Sequence, residues 1–242
     1  MTSRNLRSQR GRRLPQKSPL LLRSLSFAVA LTLFSLPALL ICSPQRAHAV
    51  EQQPGFWWGT FAKPSLTDGL SLWAETQIRS HIDPTGVVQT LYRTGLLQKV
   101  GEGQELGYLY GFIQGGAFKE HRLTLQHGQR YGRALGINWS HRARIEGRFL
   151  EEIDDPAARF RYLLRAQGST ESQWAPLVWD EIFVNLTDDE WTGTRWDDRN
   201  RLFLGFRRKS DAVNLEIGYL NQLTPREDIT VMEHIATLYL FF

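Results

Sequence analysis

Arginine and glutamate recur at every second position in several segments of this sequence, with apolar or small residues between them. Arg142, Arg144, Glu146 and Arg148 show this spacing most clearly. Successive side chains of a β-strand point to opposite faces, so these four charges would share one face. Arginine stays charged and its planar fork pairs with carboxylates, so the available chemistry is ion pairing or the binding of small anions. The side chains that we predict to line one enclosed lumen are Glu75, Arg79, Arg93, Glu120, Arg122, Arg142, Arg144, Glu146, Arg148, Arg161, Arg165, Glu181, Arg201 and Glu216.

The elements that must position these charges are strands with two different faces. From residue 50 onward, units of 10–15 residues alternate in polarity and are separated by turn residues, which indicates β-strands rather than helices. The segment 56–62 could add another strand, so the count is about ten, with twelve as the upper bound. The ten units are 69–80, 87–99, 105–115, 117–130, 135–150, 158–168, 177–187, 199–208, 213–222 and 232–242.

Two all-β architectures fit this alternation. In a soluble sandwich the apolar faces meet a second sheet and the charged faces meet water. In an antiparallel up-and-down transmembrane β-barrel the apolar faces meet lipid and the charged faces line the lumen. Strands longer than the usual 5–6 residues favour the barrel, as do aromatic residues near strand ends, where interfacial girdles lie. Those aromatic residues are Trp57, Trp58, Tyr131, Trp174, Trp179, Trp191 and Trp196.

The last strand carries a pattern of its own. Leu238, Leu240 and Phe242 alternate with other residues up to the end of the sequence, and the final residue is aromatic. This ending resembles the C-terminal signature of bacterial outer-membrane proteins, which the barrel-assembly machinery reads. We therefore expect these three side chains to face lipid and to serve as the assembly signal.

The first 49 residues have a different composition from the rest. Seven basic residues and no acid precede residue 24, an apolar run extends from Leu25 to Cys42, and Ala47-His48-Ala49 follows. This order is typical of a cleavable secretory signal peptide; a retained membrane anchor is the alternative. Removing eight basic residues would leave 21 Lys and Arg against 25 Asp and Glu, a net charge of −4 and no cysteine. Nucleic-acid binding and a disulfide scaffold are therefore not expected. The expected organisation is a signal peptide (1–49), an N-terminal lead segment (50–68) and a barrel (69–242).

The connectors indicate which end of such a barrel would face outward. With the chain starting inside, the outer connectors are 81–86, 151–157, 188–198, 223–231 and a tight one near Gly115-Gly116; much of this set is acidic. The expected partners are the lipid bilayer, the lipopolysaccharide around these outer connectors and, in the lumen, small anions.

Short stretches along nearly the whole mature chain resemble one bacterial family. They are Glu75-x-Gln77-x-Arg79, Gly107-Tyr108, Glu120-x-Arg122, Arg142-x-Arg144-x-Glu146-x-Arg148, Arg159-x-Arg161, Asp180-Glu181-x-Phe183-x-Asn185, Asn200-Arg201 and Gly218-Tyr219-x-Asn221-Gln222. In this order they are similar to the family catalogued as domain of unknown function 2490. The resemblance implies an outer-membrane barrel of a Gram-negative bacterium, and it implies no catalytic residue.

After residue 49 the sequence lacks the catalytic spacings of known outer-membrane enzymes. Outer-membrane acyl hydrolases place base and nucleophile on one strand face as His-x-Ser, and no histidine after residue 49 has serine two positions later. Ser140 and His141 are adjacent and would point to opposite faces. No Cys/His cluster has metal-ligand spacing. We therefore expect no enzyme, no cofactor and no metal.

The resulting expectation is an outer-membrane β-barrel with an Arg/Glu-lined lumen, acting as a structural protein or a narrow, porin-like pore. Three alternatives remain open at this point. One is a small-anion channel or ligand-binding barrel, the second is a soluble periplasmic β-sandwich that binds a partner, and the third is a lipid-modifying outer-membrane enzyme.

Overall fold

The computed structural model describes residues 49–81, 87–116, 118–168, 173–188, 191–192, 196–226 and 228–242. The predicted signal peptide lies outside the described residues except for Ala49. No described residue belongs to a helix long and apolar enough to cross a membrane. The strands are β1 (Ala49–Ala62), β2 (Ser65–Thr67), β3 (Leu70–His81), β4 (Val87–Gly101), β5 (Gln104–Gly115), β6 (Lys119–Ala134), β7 (Ile137–Leu150), β8 (Ile153–Gly168), β9 (Trp174–Asn185), β10 (Asp197–Arg208), β11 (Asn214–Pro225) and β12 (Ile229–Phe241).

The described strands form one sheet that closes on itself. From β3 to β12 each strand pairs antiparallel with the next, and β1 bridges the two edges. It pairs in parallel with β12, from Ala49 opposite Ile229 to Phe61 opposite Phe241. It also pairs antiparallel with β3, from Gly55 opposite His81 onward. Eleven described strands thus form the wall, while the three-residue β2 pairs only with β3.

The closed β-barrel is therefore confirmed, and two details of the prediction are corrected. The barrel begins at Ala49 and not at residue 69, because the segment expected to lead into it contains β1. The arrangement is not purely up-and-down, because a closed sheet with an odd number of strands must contain one parallel pair, here β1 with β12. β1 is hard to recognise in the sequence because Phe56, Trp57 and Trp58 are consecutive. In this part of the strand no polar residue distinguishes the inward face from the outward face.

The connectors define the two ends of the barrel. The chain ends at Phe242, and the two-residue turns 102–103 and 135–136 lie at that same end, which we call the tail end. The opposite end, the mouth end, carries the turn 151–152 and the longer connector 186–196. The predicted outer connector 151–157 is shorter than expected, because β8 already begins at Ile153.

Side chains alternate between the enclosed and the outer face along most strands. In β9 every second residue from Ala175 to Asn185 is buried. Inward glycines make room for large neighbours: Gly205 and Gly218 face each other across β10 and β11, and a Cβ on either would lie 2.7 Å from the ring of Phe203.

The outer face is mainly apolar. Large exposed side chains on it include Tyr92, Tyr108, Leu123, Leu125 and Ile145, and Leu204, Phe206, Ile217 and Tyr219 extend the band across β10 and β11. Half-buried polar pairs interrupt this face. In one of them the Asn200 amide donates to both carboxylate oxygens of Asp180, at 3.2 and 3.1 Å.

Candidate functional site

The enclosed face brings together all fourteen charged residues singled out from the sequence. Arg79, Arg142 and Arg165 are half-buried and the others are buried. Positive and negative side chains that are removed from water must pair with each other or form other hydrogen bonds, in which arginines donate and carboxylates accept, since an uncompensated buried charge is costly. The interior is therefore best described through its carboxylates, each of which holds one or more guanidinium groups.

Glu75 and Glu120 lie on β3 and β6. Arg93 donates from one guanidinium nitrogen to both oxygens of Glu75, at 2.9 and 2.8 Å. Glu120 accepts from Arg122 at 2.7 Å and from Arg148 at 2.6 Å, so two arginines share one carboxylate. Inter-strand pairing places Arg122 directly opposite Arg148, and Glu120 offsets the repulsion between them.

Glu146 and Asp198 form a continuous chain with three arginines. Glu146, which has no exposed surface, accepts from Arg159 and Arg161, each at 2.7 Å. Arg159 also donates to Asp198 at 2.7 Å, and Asp198 accepts from Arg199 at 3.1 Å. These bonds connect β7, β8 and β10 across the interior.

Glu181 extends the network to two further strands. Arg161 donates to both of its oxygens at 2.9 Å, and Arg142 donates at 3.0 Å. Arg201 lies 3.9 Å away and donates to the side-chain oxygen of Gln222 at 2.6 Å. Arg161 therefore links the Glu146 and Glu181 groups into one lattice.

A separate group lies towards the tail end. Glu216 accepts from Arg165 at 2.5 Å and from Arg207 at 2.7 Å. The Arg207 guanidinium also lies over the ring of Phe241, 5.2 Å from its centroid. Both arginines keep about a fifth of their side-chain surface exposed, so this group is less enclosed than the lattice.

Sequence reasoning did not foresee an apolar cluster inside the barrel. Trp179 and Phe203 stack with ring centroids 5.1 Å apart, and Trp57 packs in the same cluster. Trp57 and Trp179 were expected at the lipid interface, and that assignment is wrong because both are under 10% exposed and face inward. The remaining members are Leu177, Leu220 and Ile235, with Leu163 packed against them.

A cavity of about 280 Å³ lies on the mouth side of this cluster. We call it the mouth cavity. Phe183 and Trp191 contribute aromatic walls, and Glu120 is the carboxylate among the described lining residues. The seven arginines that line it are Arg79, Arg122, Arg148, Arg159, Arg161, Arg199 and Arg201.

Several interior residues were absent from the sequence-based set. Arg159 and Arg207 could have been included, because each stands an even number of residues from Arg161 or Arg201 on the same strand. Arg199 meets the same rule, since it stands two residues from Arg201 on β10. Asp198 does not, since a register shift in the pairing of β9 with β10 breaks the alternation between Asp197 and Arg199.

At the C-terminus, Leu238 and Leu240 are half-buried and Phe242 is exposed, whereas Tyr239 between them is buried. The three predicted signal residues thus lie on the face opposite to the interior. Their reading by an assembly machinery stays a prediction.

Comparison with known proteins shows the family of the chain and a related protein. The family described as "Protein of unknown function (DUF2490)" matches residues 54–233. An uncharacterised protein of Methylorubrum extorquens (strain AM1) is 28% identical over 213 residues, covering 84% of this chain and 93% of that protein. No solved structure matches the chain.

Proposed function

From the premise that this chain belongs to the DUF2490 family, we propose that it is an outer-membrane β-barrel whose interior is closed by side chains. Its role is then structural, and its resting state does not conduct. The single observation that carries the proposal is the inversion of faces: apolar side chains point out of a closed barrel and charged ones point in. A membrane barrel has this arrangement, and a soluble protein has the reverse.

Closure of the sheet contradicts the sandwich architecture of the soluble alternative. In a sandwich the apolar faces would be covered by a second sheet, but all described strands belong to the one sheet that closes. Tyr108, Leu123 and Leu125 are each more than half exposed. Contiguous apolar patches of this extent are rare on soluble monomers and indicate a partner surface or lipid.

The strand dimensions fit a bilayer. The shortest wall strands have 12 residues, which extends about 40 Å along the strand and about 30 Å along a barrel axis at a tilt of about 40°. The hydrocarbon core is about 30 Å thick. The wall is therefore tall enough to span it.

Two sets of side chains fill the barrel and support the proposal that its interior is closed. The ion-pair lattice connects β3 to β10, and the Trp57–Trp179–Phe203 cluster occupies the side formed by β1 and β9–β12. Side chains can fill barrels of about eight strands; here long arginines and bicyclic rings fill a slightly wider one. Conduction would require this packing to rearrange.

Single-cysteine labelling tests the orientation of the outer face. Leu125→Cys places a thiol on that face, and Leu135→Cys places the matched control in the tail-end turn, where Leu135 is 82% exposed. Both are made with Cys42→Ser, which removes the native cysteine. In opened membranes a water-soluble maleimide should label the Leu135 site and spare the Leu125 site. Equal labelling of both sites would show that the apolar face meets water.

Conductance tests the closed interior separately. Purified barrel in planar bilayers should show no resolved single-channel steps in molar KCl, with a general porin as positive control. Steady anion-selective steps would instead establish the channel alternative.

A further inference from the structure

We propose that the mouth cavity is a binding site for a small polyvalent oxyanion, carrying phosphoryl or carboxyl groups. This inference goes beyond the structural role above and does not depend on membrane location, because it uses only the interior of the folded barrel. It rests on the excess of positive charge in the cavity, on the way its arginines are held, and on its closed floor.

The first step is the charge balance. Within the described residues, the carboxylates that lie within 4.0 Å of the seven lining arginines are Glu120, Glu146, Glu181 and Asp198. Seven guanidinium groups against four carboxylates leave three positive charges in excess. Glu146 and Glu181 also face Arg93 and Arg142 outside the cavity, so they are not free to offset more.

Arg79 shows the excess most directly. It donates to the side-chain oxygens of Gln77 and Gln89, at distances between 2.7 and 3.2 Å. Its guanidinium carbon lies 4.3 Å from the centroid of Trp57, and no described carboxylate lies within ion-pair distance of it. Neutral partners hold the group in place and leave its charge uncompensated.

Aromatic rings position most of the other guanidinium groups. Arg161, Arg201, Arg159 and Arg199 surround the ring of Phe183, with guanidinium carbons 4.4, 4.7, 5.2 and 5.6 Å from its centroid. A neutral ring attracts each cation but does not cancel its charge. These four guanidinium groups share three carboxylates, Glu146, Glu181 and Asp198. One positive charge of the group is therefore in excess, and the groups are held in place for an anion.

The side chain at the rim adds a further element. Trp191, in the connector between β9 and β10, packs on the Arg148 guanidinium at 4.5 Å, and its indole nitrogen donates to the Asp155 carbonyl oxygen at 2.8 Å. The rim of the cavity is thus fixed to the beginning of β8 as well as to the ion-pair lattice.

The floor determines that the site binds rather than conducts. Arg201 and Arg79 both stack on Trp57, and Trp57 belongs to the apolar cluster that continues towards the tail end. An anion entering at the mouth meets this cluster on the side of β1 and β9–β12 and the ion-pair lattice on the other side, and stops there. The volume of about 280 Å³ corresponds to roughly nine waters at about 30 Å³ each, which suits a pyrophosphate or a tricarboxylate.

Calorimetric titration of the folded, detergent-solubilised barrel tests the proposal at low and moderate salt. The probes are pyrophosphate and citrate as free anions, and glycerol 1-phosphate as a lipid headgroup. We expect saturable binding of at least one probe, weakened at least tenfold by moderate salt because the attraction is electrostatic. Preference for pyrophosphate or citrate would identify a free anion, and preference for glycerol phosphate would identify a headgroup.

The variants separate the cavity from the rest of the interior. Arg79→Gln should weaken binding at least tenfold without breaking an ion pair, and Arg79→Lys should restore part of the affinity. Arg165→Gln, which removes a guanidinium at the tail end, is the matched control and should change affinity less than twofold. Heat-modifiable gel mobility verifies that each variant is folded. Absence of binding by all three probes, or equal weakening by the control, would overturn the proposal.

Discussion

Loss of the charge on Glu146 should destabilise the barrel more than almost any other conservative replacement. Glu146→Gln keeps the shape of the side chain but leaves Arg159 and Arg161 facing an amide in place of a carboxylate. Breaking a buried ion pair by removing one partner costs about 3–5 kcal/mol, because the remaining charge stays buried.

The structure narrows the expected loss of unfolding free energy. Two direct pairs are lost, yet Arg161 keeps Glu181 at 2.9 Å and Arg159 keeps Asp198 at 2.7 Å. Neither guanidinium is therefore left without a carboxylate, and we expect about 3–5 kcal/mol in total rather than twice that amount. With a urea dependence of about 1–3 kcal/mol per molar, the unfolding midpoint should fall by at least about 1 M.

Equilibrium unfolding of the barrel from lipid or detergent, followed by tryptophan fluorescence and by gel mobility, measures this change. The matched control is Glu151→Gln, in the exposed turn between β7 and β8. There a hydrogen bond from Lys119 lowers the pKa of the Glu151 carboxyl, but solvent screens the pair. The control should leave the midpoint unchanged. If Glu146→Gln shifted the midpoint no further than the control, the ion-pair lattice would not be holding the barrel together.

Three further outcomes follow from the geometry. Glu75→Leu alone should cost about 3–5 kcal/mol, and adding Arg93→Leu should recover most of it, which a double-mutant cycle of unfolding free energies measures. Gly218→Ala should destabilise the barrel by at least about 1–3 kcal/mol because its Cβ would lie 2.4 Å from the Leu204 carbonyl oxygen and 2.7 Å from the Phe203 ring; Phe203→Leu in the same chain should recover only a small part of this because the backbone contact remains, and full tolerance of the alanine would contradict the packing. Leu135 has a positive φ of 52° in its turn, so Leu135→Asn should raise the unfolding free energy by about 1 kcal/mol, and a loss of stability there would refute the turn geometry.

Much of this fold follows from local alternation, and the charged interior follows with it. Once Arg142, Arg144, Glu146 and Arg148 are assigned to one face, the charged residues of inward parity in the middle of the other strands lie inside, whereas Lys99 and Arg130, near strand ends, are exposed. The rule weakens where both faces are apolar. In β10, Leu202, Phe203 and Leu204 are consecutive, so only the parity of Arg201 and Arg207 indicates that Phe203 is fully buried while Leu204 is exposed.

The closing strand could not have been read from the sequence for a different reason. The parallel pairing joins residues about 180 positions apart, and backbone hydrogen bonds carry no side-chain signature. The direction of β1 depends on the number of strands between the two edges of the sheet. An even wall would have paired it antiparallel with the last strand, and the eleventh strand makes that pair parallel.

The eleventh strand also bears on why the interior is built from arginines. A wider barrel needs long side chains to reach its axis. The arginine side chains pass over the inward glycine Gly111 on β5: a Cβ there would lie 3.7 Å from Arg93 Nε and 3.6 Å from Arg122 Cβ. Arginine reaches far and can bridge two carboxylates at once, as Arg161 does between Glu146 and Glu181. The same reach has a consequence at the mouth, where seven arginines line the cavity and four carboxylates pair with them. There the filling ends in uncompensated positive charge, and an anion from outside is the partner that completes it.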